Sequence, residues 1–284
     1  MLEPWGLSVF TWAVICTGKS ERWRIGTWFS GEFDEYDPRV PSSEQEQYRR
    51  SAWVILPTYN EAVNIGRMVE ALGPKLTHEG DRILIVDDAS PDGTGRIADQ
   101  IAGDNPKVQV LHRRIKEGLG PAYLAGFRVA LDGGADLIVQ MDADFSHDPA
   151  YLPRLLAASE LADLVIGSRY VPGGGITEWG QVRRLLSRGG SLYSRTLLRV
   201  PVRDLTGGFK CFRREVLETI DLSQVAASGY SFQVEMTWRV IRAGFSVMEV
   251  PITFRERQQG DSKMTTAIVA EAAWRVPAMR FRGR

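Results

Sequence analysis

The chain has 284 residues, 44% hydrophobic and 25% charged, which suffices for a sizeable core and excludes disorder throughout, a collagen and a disulfide scaffold. Lys and Arg number 35, as do Asp and Glu, so the formal net charge of zero speaks against a general nucleic-acid binder. A mean hydropathy of −0.18 and two cysteines, Cys16 and Cys211, exclude a polytopic membrane protein and a zinc cluster, and fit a reducing compartment.

Residues 1–50 differ from the rest. Trp5, Trp12, Trp23 and Trp28 precede an acidic run from Glu32 to Asp37, then Pro38, Pro41 and a polar stretch. With no clear period, this reads as an irregular N-terminal extension ending in a linker. The uncharged run from Pro4 to Gly18 is shorter than the roughly 20 residues of a spanning helix. Glu3 stands where a signal peptide wants a basic residue, which leaves a peripheral segment as the alternative.

From Ala52 the pattern changes. Ala52–Leu56, Arg82–Val86, Val108–Leu111, Asp136–Met141 and Leu164–Gly167 are short apolar runs, the mark of strands buried on both faces. Between them, Glu61–Leu72, a segment opened by Asp92-Gly93-Thr94, Leu119–Leu131 and Pro149–Ala158 have helical character. Such alternation predicts a mostly parallel sheet with right-handed crossovers. Beyond Tyr170 come a Gly173-Gly174-Gly175 run, a basic helix from Arg183 to Arg199, a Gly-rich turn Asp204–Phe209, helices near Arg214 and Phe232, and an alternating strand Phe245–Val250.

Ligands of an open parallel sheet sit beyond the carboxyl ends of its strands. There the chain carries Pro57-Thr58-Tyr59-Asn60-Glu61, Asp87-Asp88, Asp142-Ala143-Asp144 and Ser168-Arg169. Converging carboxylates need a counter-charge. A divalent cation and a sugar nucleotide would supply it together with hydroxyl partners. Asp142 and Asp144, at i and i+2, can reach one hard cation that keeps positions open for phosphate oxygens; the alternative is an Asx turn capping the helix at Pro149. Asp88 can accept from a ribose or base, with Asp92 the better helix cap. His147 is a polar turn residue or part of the metal environment, and Glu235 a sugar contact or a helix-surface carboxylate. No Walker or dinucleotide fingerprint is present.

The motifs Pro57–Glu61, Val86–Thr94 and Met141–His147, in this order, resemble family-2 inverting glycosyltransferases of the A-type fold. The chain closely resembles the polyprenyl-phosphate (dolichyl-phosphate) mannose synthases, from about Trp53 to Thr265. The resemblance implies an α/β, Rossmann-like sheet flanked by helices, in a single catalytic domain over residues 51–265. It implies inverting transfer of mannose from GDP-mannose to a polyprenyl monophosphate with Mg2+ or Mn2+. Pro57, Tyr59, Glu61, Val86 and Asp88 match the base and ribose positions; Asp142, Ala143 and Asp144 match the metal and diphosphate segment, with the metal on Asp142 and Asp144. Arg169 matches a phosphate-contacting arginine, Arg183 and Ser187 the acceptor-phosphate site, and Arg257 and Lys263 a loop closing over the donor phosphates. Asp142, Asp144, Arg169 and Arg257 would carry catalysis, and Arg169 and Arg257 would also face the acceptor phosphate. Gln258-Gln259 and Gly207-Gly208 depart from the pattern and bear on substrate detail. UDP-glucose as donor, and a silent sugar-nucleotide or lipid-binding module, are the alternatives.

A polyprenyl acceptor requires contact with a bilayer. The basic tail, residues 266–284, interleaves arginines with apolar side chains from Trp274 on and, with the aromatic extension, is the expected membrane-surface contact. The expected location is the cytoplasm, peripheral to the membrane, with a membrane-protein partner as a further expectation.

Overall fold

The computed structural model describes residues 12–16, 23–27, 48–177, 180–225, 229–255 and 275–280. Within the N-terminal extension it places an antiparallel hairpin, β1 (Trp12–Cys16) with β2 (Trp23–Thr27), in the register Trp12 opposite Thr27.

The apolar runs form the main sheet: β3 (Ala52–Thr58), β4 (Arg82–Asp87), β5 (Val108–His112), β6 (Leu137–Gln140), β7 (Leu164–Ser168), β9 (Lys210–Arg213) and β10 (Val247–Pro251). Their order is β10-β7-β9-β6-β3-β4-β5. All pairings are parallel except those of β9, which lies antiparallel between β6 and β7. A small parallel pair joins β8 (Gly175–Ile176) to β11 (Thr253–Phe254).

Each strand feeds two cores. On β3, Trp53 and Ile55 enter one cluster while Ala52, Val54 and Leu56 enter the other; β4 divides Leu84 and Val86 from Ile83 and Ile85 in the same way. This period of two, apolar on both sides, is why the strands read as continuous apolar runs. Helices α1 (Ile65–Leu72), α2 (Thr94–Asp104) and α4 (Leu152–Ala158) cover one face. Helices α3 (Leu119–Asp132), α6 (Arg214–Thr219) and α7 (Gly229–Arg242) cover the other. The basic segment is α5 (Gln181–Leu198). Residues 275–280 are helical, with Val276 and Met279 buried in the α3 core and Arg280 donating to the Leu197 carbonyl. These apolar tail residues are therefore core, and are not available as the exposed membrane face expected of them.

Helix α3 lies close against the sheet because Gly126 lets it. A Cβ there would stand 2.5 Å from Ile55 Cγ2. Gly126→Ala should therefore lower stability by about 1–3 kcal/mol through overpacking, despite alanine's better helix propensity. Urea unfolding measures this; an unchanged or raised midpoint would show that α3 is free to shift.

Candidate active site

β3 pairs with β4 on one side and with β6 on the other, so a crevice opens between the carboxyl ends of β3 and β6. The loops that leave these ends are strained. Asn60, Ala89 and Phe145, which follow β3, β4 and β6, have φ of 59°, 58° and 61°. The left-handed region costs a non-glycine residue roughly 1–2 kcal/mol, and such outliers gather where backbone geometry serves a site.

Of the expected nucleotide-side residues, Tyr59 has the Lys116 ammonium 3.5 Å from its ring centroid. Glu61 is buried, accepts from Asn64 Nδ2 at 2.8 Å, and donates its backbone N–H to Thr94 Oγ1 at 3.0 Å. Asp88 is buried against Arg113, whose Nη1 stands 2.5 Å from Oδ1; its Oδ2 accepts the Gly118 N–H at 2.8 Å. It thus anchors the loop before α3. Asp92 accepts the Thr94 N–H at 3.0 Å, the helix-start role expected of it. Pro57 is half-buried, beside Val86 in the ladder. Val86 and Ala143 are buried in the cores, so only their backbone can face a ligand.

Asp142 is partly open to the crevice, its side chain 25% exposed. Its Oδ1 accepts from the Tyr123 hydroxyl at 3.1 Å, and its N–H donates to His147 Nδ1 at 3.2 Å. Burial, then the Asp142 charge, pushes the Tyr123 phenol well above its ordinary value, so it stays a donor. Asp144 is buried, and its Oδ1 accepts the Ser146 N–H at 3.0 Å. The cap at Pro149 is Asp148, which accepts the Ala150 N–H, so the carboxylates of Asp142 and Asp144 are not spent on that helix. Two hard oxygen donors from one strand end fit a divalent cation that takes its remaining ligands from phosphate and water. Among the described residues no group of three His, Cys, Asp or Glu side chains forms a closed metal site.

His147 is buried between Phe209 and Phe254, each 5.3 Å away by ring centroid. Burial lowers its pKa, and Nδ1 is occupied as an acceptor, so it orders the Asp142 loop; it is neither an exposed turn residue nor a ligand through that nitrogen.

Arg169, the expected phosphate contact, is not left open to solvent. Instead it is buried in a two-point pair with Asp204: Nε to Oδ2 and Nη2 to Oδ1, both 2.7 Å, with Nη2 also 2.7 Å from Thr206 Oγ1. Around this pair lies a polar cluster that sequence reasoning passed over. Glu249 accepts from Ser168 Oγ, the Asp204 N–H and the Arg203 N–H, and its pKa is raised by burial. Lys210 is fully buried, donates to the Gln233 carbonyl and to Gln233 Oε1, and is lowered by burial to about 7. The one signal for this cluster was the Asp204–Phe209 turn.

Ser187 on α5 is buried and accepts from the Tyr170 hydroxyl at 2.6 Å. Arg183 lies a turn before it on the same helix, with its side chain outside the described residues. Arg257 and Lys263 lie outside the described residues altogether. Glu235 is buried and paired with Arg239 at 2.7 Å, not on the helix surface.

The family model for glycosyl transferase family 2 matches residues 53–221. The polyprenol monophosphomannose synthase of Mycolicibacterium smegmatis is 52% identical over 237 residues, which cover 81% of this chain and 87% of that protein. The undecaprenyl-phosphate mannosyltransferase of Micrococcus luteus is 51% identical over 222 residues, or 77% and 89% of the two chains. Glucosyl-3-phosphoglycerate synthase from Mycobacterium tuberculosis, solved with Mn2+, UDP-glucose and glycerol 3-phosphate, is 19% identical with a TM-score of 0.61, over 82% of this chain and 81% of that one, a likeness in fold. Sheet order and strand-end carboxylates together define a glycosyltransferase of the A-type fold. The chain belongs to glycosyl transferase family 2, among its polyprenyl-phosphate mannose synthases.

The Asp204 carboxyl would be raised by burial, but Arg169 on both its oxygens outweighs that and holds it below the ordinary 3.8. Its stabilising effect is therefore full above pH 3.8 and is lost as pH falls through the lower folded value. Asp204→Asn leaves a buried guanidinium unpaired and should cost about 3–5 kcal/mol. Urea unfolding at neutral pH checks this; a cost near zero would mean that Arg169 escapes to solvent.

Proposed function

We propose that the protein transfers mannose, with inversion, from GDP-mannose to a polyprenyl monophosphate, aided by Mg2+ or Mn2+ at Asp142 and Asp144, in a catalytic domain spanning residues 51–265. The observation that carries this is the Asp142-Ala143-Asp144 strand end, open at Asp142 and buried at Asp144, in a chain half identical to enzymes named for mannosyl transfer to polyprenyl phosphates. A bound divalent cation supplies charge neutralisation for a departing diphosphate.

The chemistry asks little proton transfer of the protein. A phosphate monoester oxygen is already anionic; it bonds to the anomeric carbon as the bond from that carbon to the diphosphate breaks, and the electron pair leaves on the diphosphate. No strong general base is then needed. What remains is to hold two anions in line without mutual repulsion. In this reading Pro57, Tyr59, Glu61, Val86 and Asp88 border the nucleoside, Val86 through its backbone. Arg257 and Lys263 close over the donor phosphates, and Arg183 and Ser187 receive the acceptor phosphate. Arg169 enters with two of its nitrogens already bound to Asp204 and Thr206, so its part is chiefly to fix the wall between the two phosphate positions.

Purified protein given GDP-mannose, Mg2+ or Mn2+ and a short polyprenyl phosphate should yield the mannosylated lipid by mass spectrometry. Asp144→Ala should remove at least 100-fold of that rate, on the order of a lost charge-stabilising group, with the circular-dichroism spectrum retained. Turnover that persists in Asp144→Ala, or stabilisation by UDP rather than GDP in a thermal-shift titration, would overturn the metal site or the donor respectively.

Among the described residues no helix is long and apolar enough to cross a membrane. The reading places the enzyme on the membrane surface, at the cytoplasmic face, and the supporting surface is α5. Leu185, Leu186, Leu192 and Tyr193 are 73%, 52%, 60% and 43% exposed, and they share the helix with Arg184, Arg188 and Arg195. Apolar side chains interleaved with arginines suit an anionic interface. Sedimentation with vesicles of anionic phospholipid should fall severalfold in Leu185→Glu/Leu192→Glu while the melting temperature holds. Equal binding would take α5 out of the membrane contact.

A further inference from the structure

We propose that Gln233 reads a hydroxyl of the transferred hexose, with buried Lys210 as the residue that aims it; the inference rests on the sugar-transfer reading above. Gln233 opens the second turn of α7 and is nearly all buried. Lys210 Nζ, on β9, donates to the Gln233 backbone carbonyl at 2.7 Å and to its side-chain Oε1 at 3.0 Å. The orientation of the carboxamide follows from this. In its ammonium form Lys210 has only donors, so it faces the amide oxygen; a turned-over amide would set two donors against each other. The NH2 end of Gln233 therefore points away from Lys210.

Gly208 locates where it points. A Cβ built on Gly208 would lie 3.6 Å from Gln233 Nε2, 3.7 Å from Asp142 Oδ2 and 3.1 Å from His147 Cε1. Gly208 is partly open, as is Asp142, so the crevice floor at this point has a donor on one side and a carboxylate on the other. Among the described residues the side-chain hydrogen bond of Gln233 runs through Oε1, which leaves Nε2 to meet a group in the crevice. The pair of neighbours selects what that is. An alcohol can meet both neighbours at once, donating to the carboxylate and accepting from the amide. In the sugar-transfer reading, the hydroxyl-bearing group beside Asp142 is the hexose that leaves the diphosphate. Gly208, the departure from the family pattern noted in the sequence, keeps this space free.

The test compares wild type, Gln233→Leu and Gly208→Ala on GDP-mannose and on its singly deoxygenated analogues, with GDP affinity by calorimetry as the control. Gln233→Leu should lower kcat/KM for GDP-mannose by about tenfold, the scale of one neutral hydrogen bond. It should lose nothing further on the one deoxy analogue that lacks the hydroxyl it reads. GDP affinity should stay within about twofold in both variants, and Gly208→Ala should lose hexose transfer. Equal losses of Gln233→Leu on every analogue, no loss at all, or a fully active Gly208→Ala would overturn the role of Gln233. A wild type inactive with GDP-mannose would overturn the donor assignment, and this inference with it, before any variant is compared.

Discussion

The site depends on one buried ion pair. Arg169 ends β7 and Asp204 lies in the loop that enters β9, so their two-point contact ties together strands that run antiparallel. Two buried charges gain little over an apolar pair of the same shape, because desolvation consumes the attraction. What they confer is placement, since a guanidinium accepts a carboxylate in few geometries. With the pair in register, Gly208 sits beside Asp142 and Lys210 lies under α7. Burial pushes Lys210 and Glu249 toward their neutral forms, which keeps the number of uncompensated charges in the cluster small.

The strand-end loops are the counterpart of that rigid base. Asn60, Ala89 and Phe145 hold left-handed backbone where glycine would be at ease. Asn tolerates the region through its short polar side chain; Ala and Phe have no such help. Their neighbours hold them there. Ser90 donates to Asp87, Ser146 donates to Asp144, and the Asn60 N–H donates to Ser90 Oγ at 3.2 Å. These contacts hold the carboxylates in position, which lowers the reorganisation that catalysis would otherwise require.

The parts of this arrangement that follow from burial on both faces were legible in the sequence. β3, β4, β6 and β7 are continuous apolar runs because both cores draw on them, and their termini point to the crevice. β9 was not legible. Lys210-Cys211-Phe212-Arg213 begins and ends on a charge, follows a glycine turn, and runs against its neighbours. A lysine in a short polar-flanked segment reads as surface, because Lys is almost never buried without a partner. Its partners, the Gln233 carbonyl and side chain, lie 23 residues away, beyond any local pattern. The burial of Arg169 was hidden for the same reason: Asp204, 35 residues on, pairs with it. The hairpin β1–β2 was missed although Trp12–Cys16 is a continuous apolar run, because it lies in a stretch that otherwise reads as irregular.

Helix α5 shows how the same bookkeeping of polar groups shapes the surface. An amphipathic helix on an apolar core turns its leucines inward, and α5 does the reverse. Ser187 and Ser191 are buried, bonding Tyr170 and reaching Thr206 at 3.3 Å, while Leu185, Leu186 and Leu192 face out. The helix lies over the polar cluster built on Arg169, whose hydroxyl and carboxylate neighbours can be met by serines and not by leucines. The face that satisfies hydrogen bonds therefore goes inward, and the apolar face is left for another medium. In water that exposure is unfavourable. Against a lipid surface it becomes favourable. The constraint that buries Arg169 thus also leaves the leucines outside.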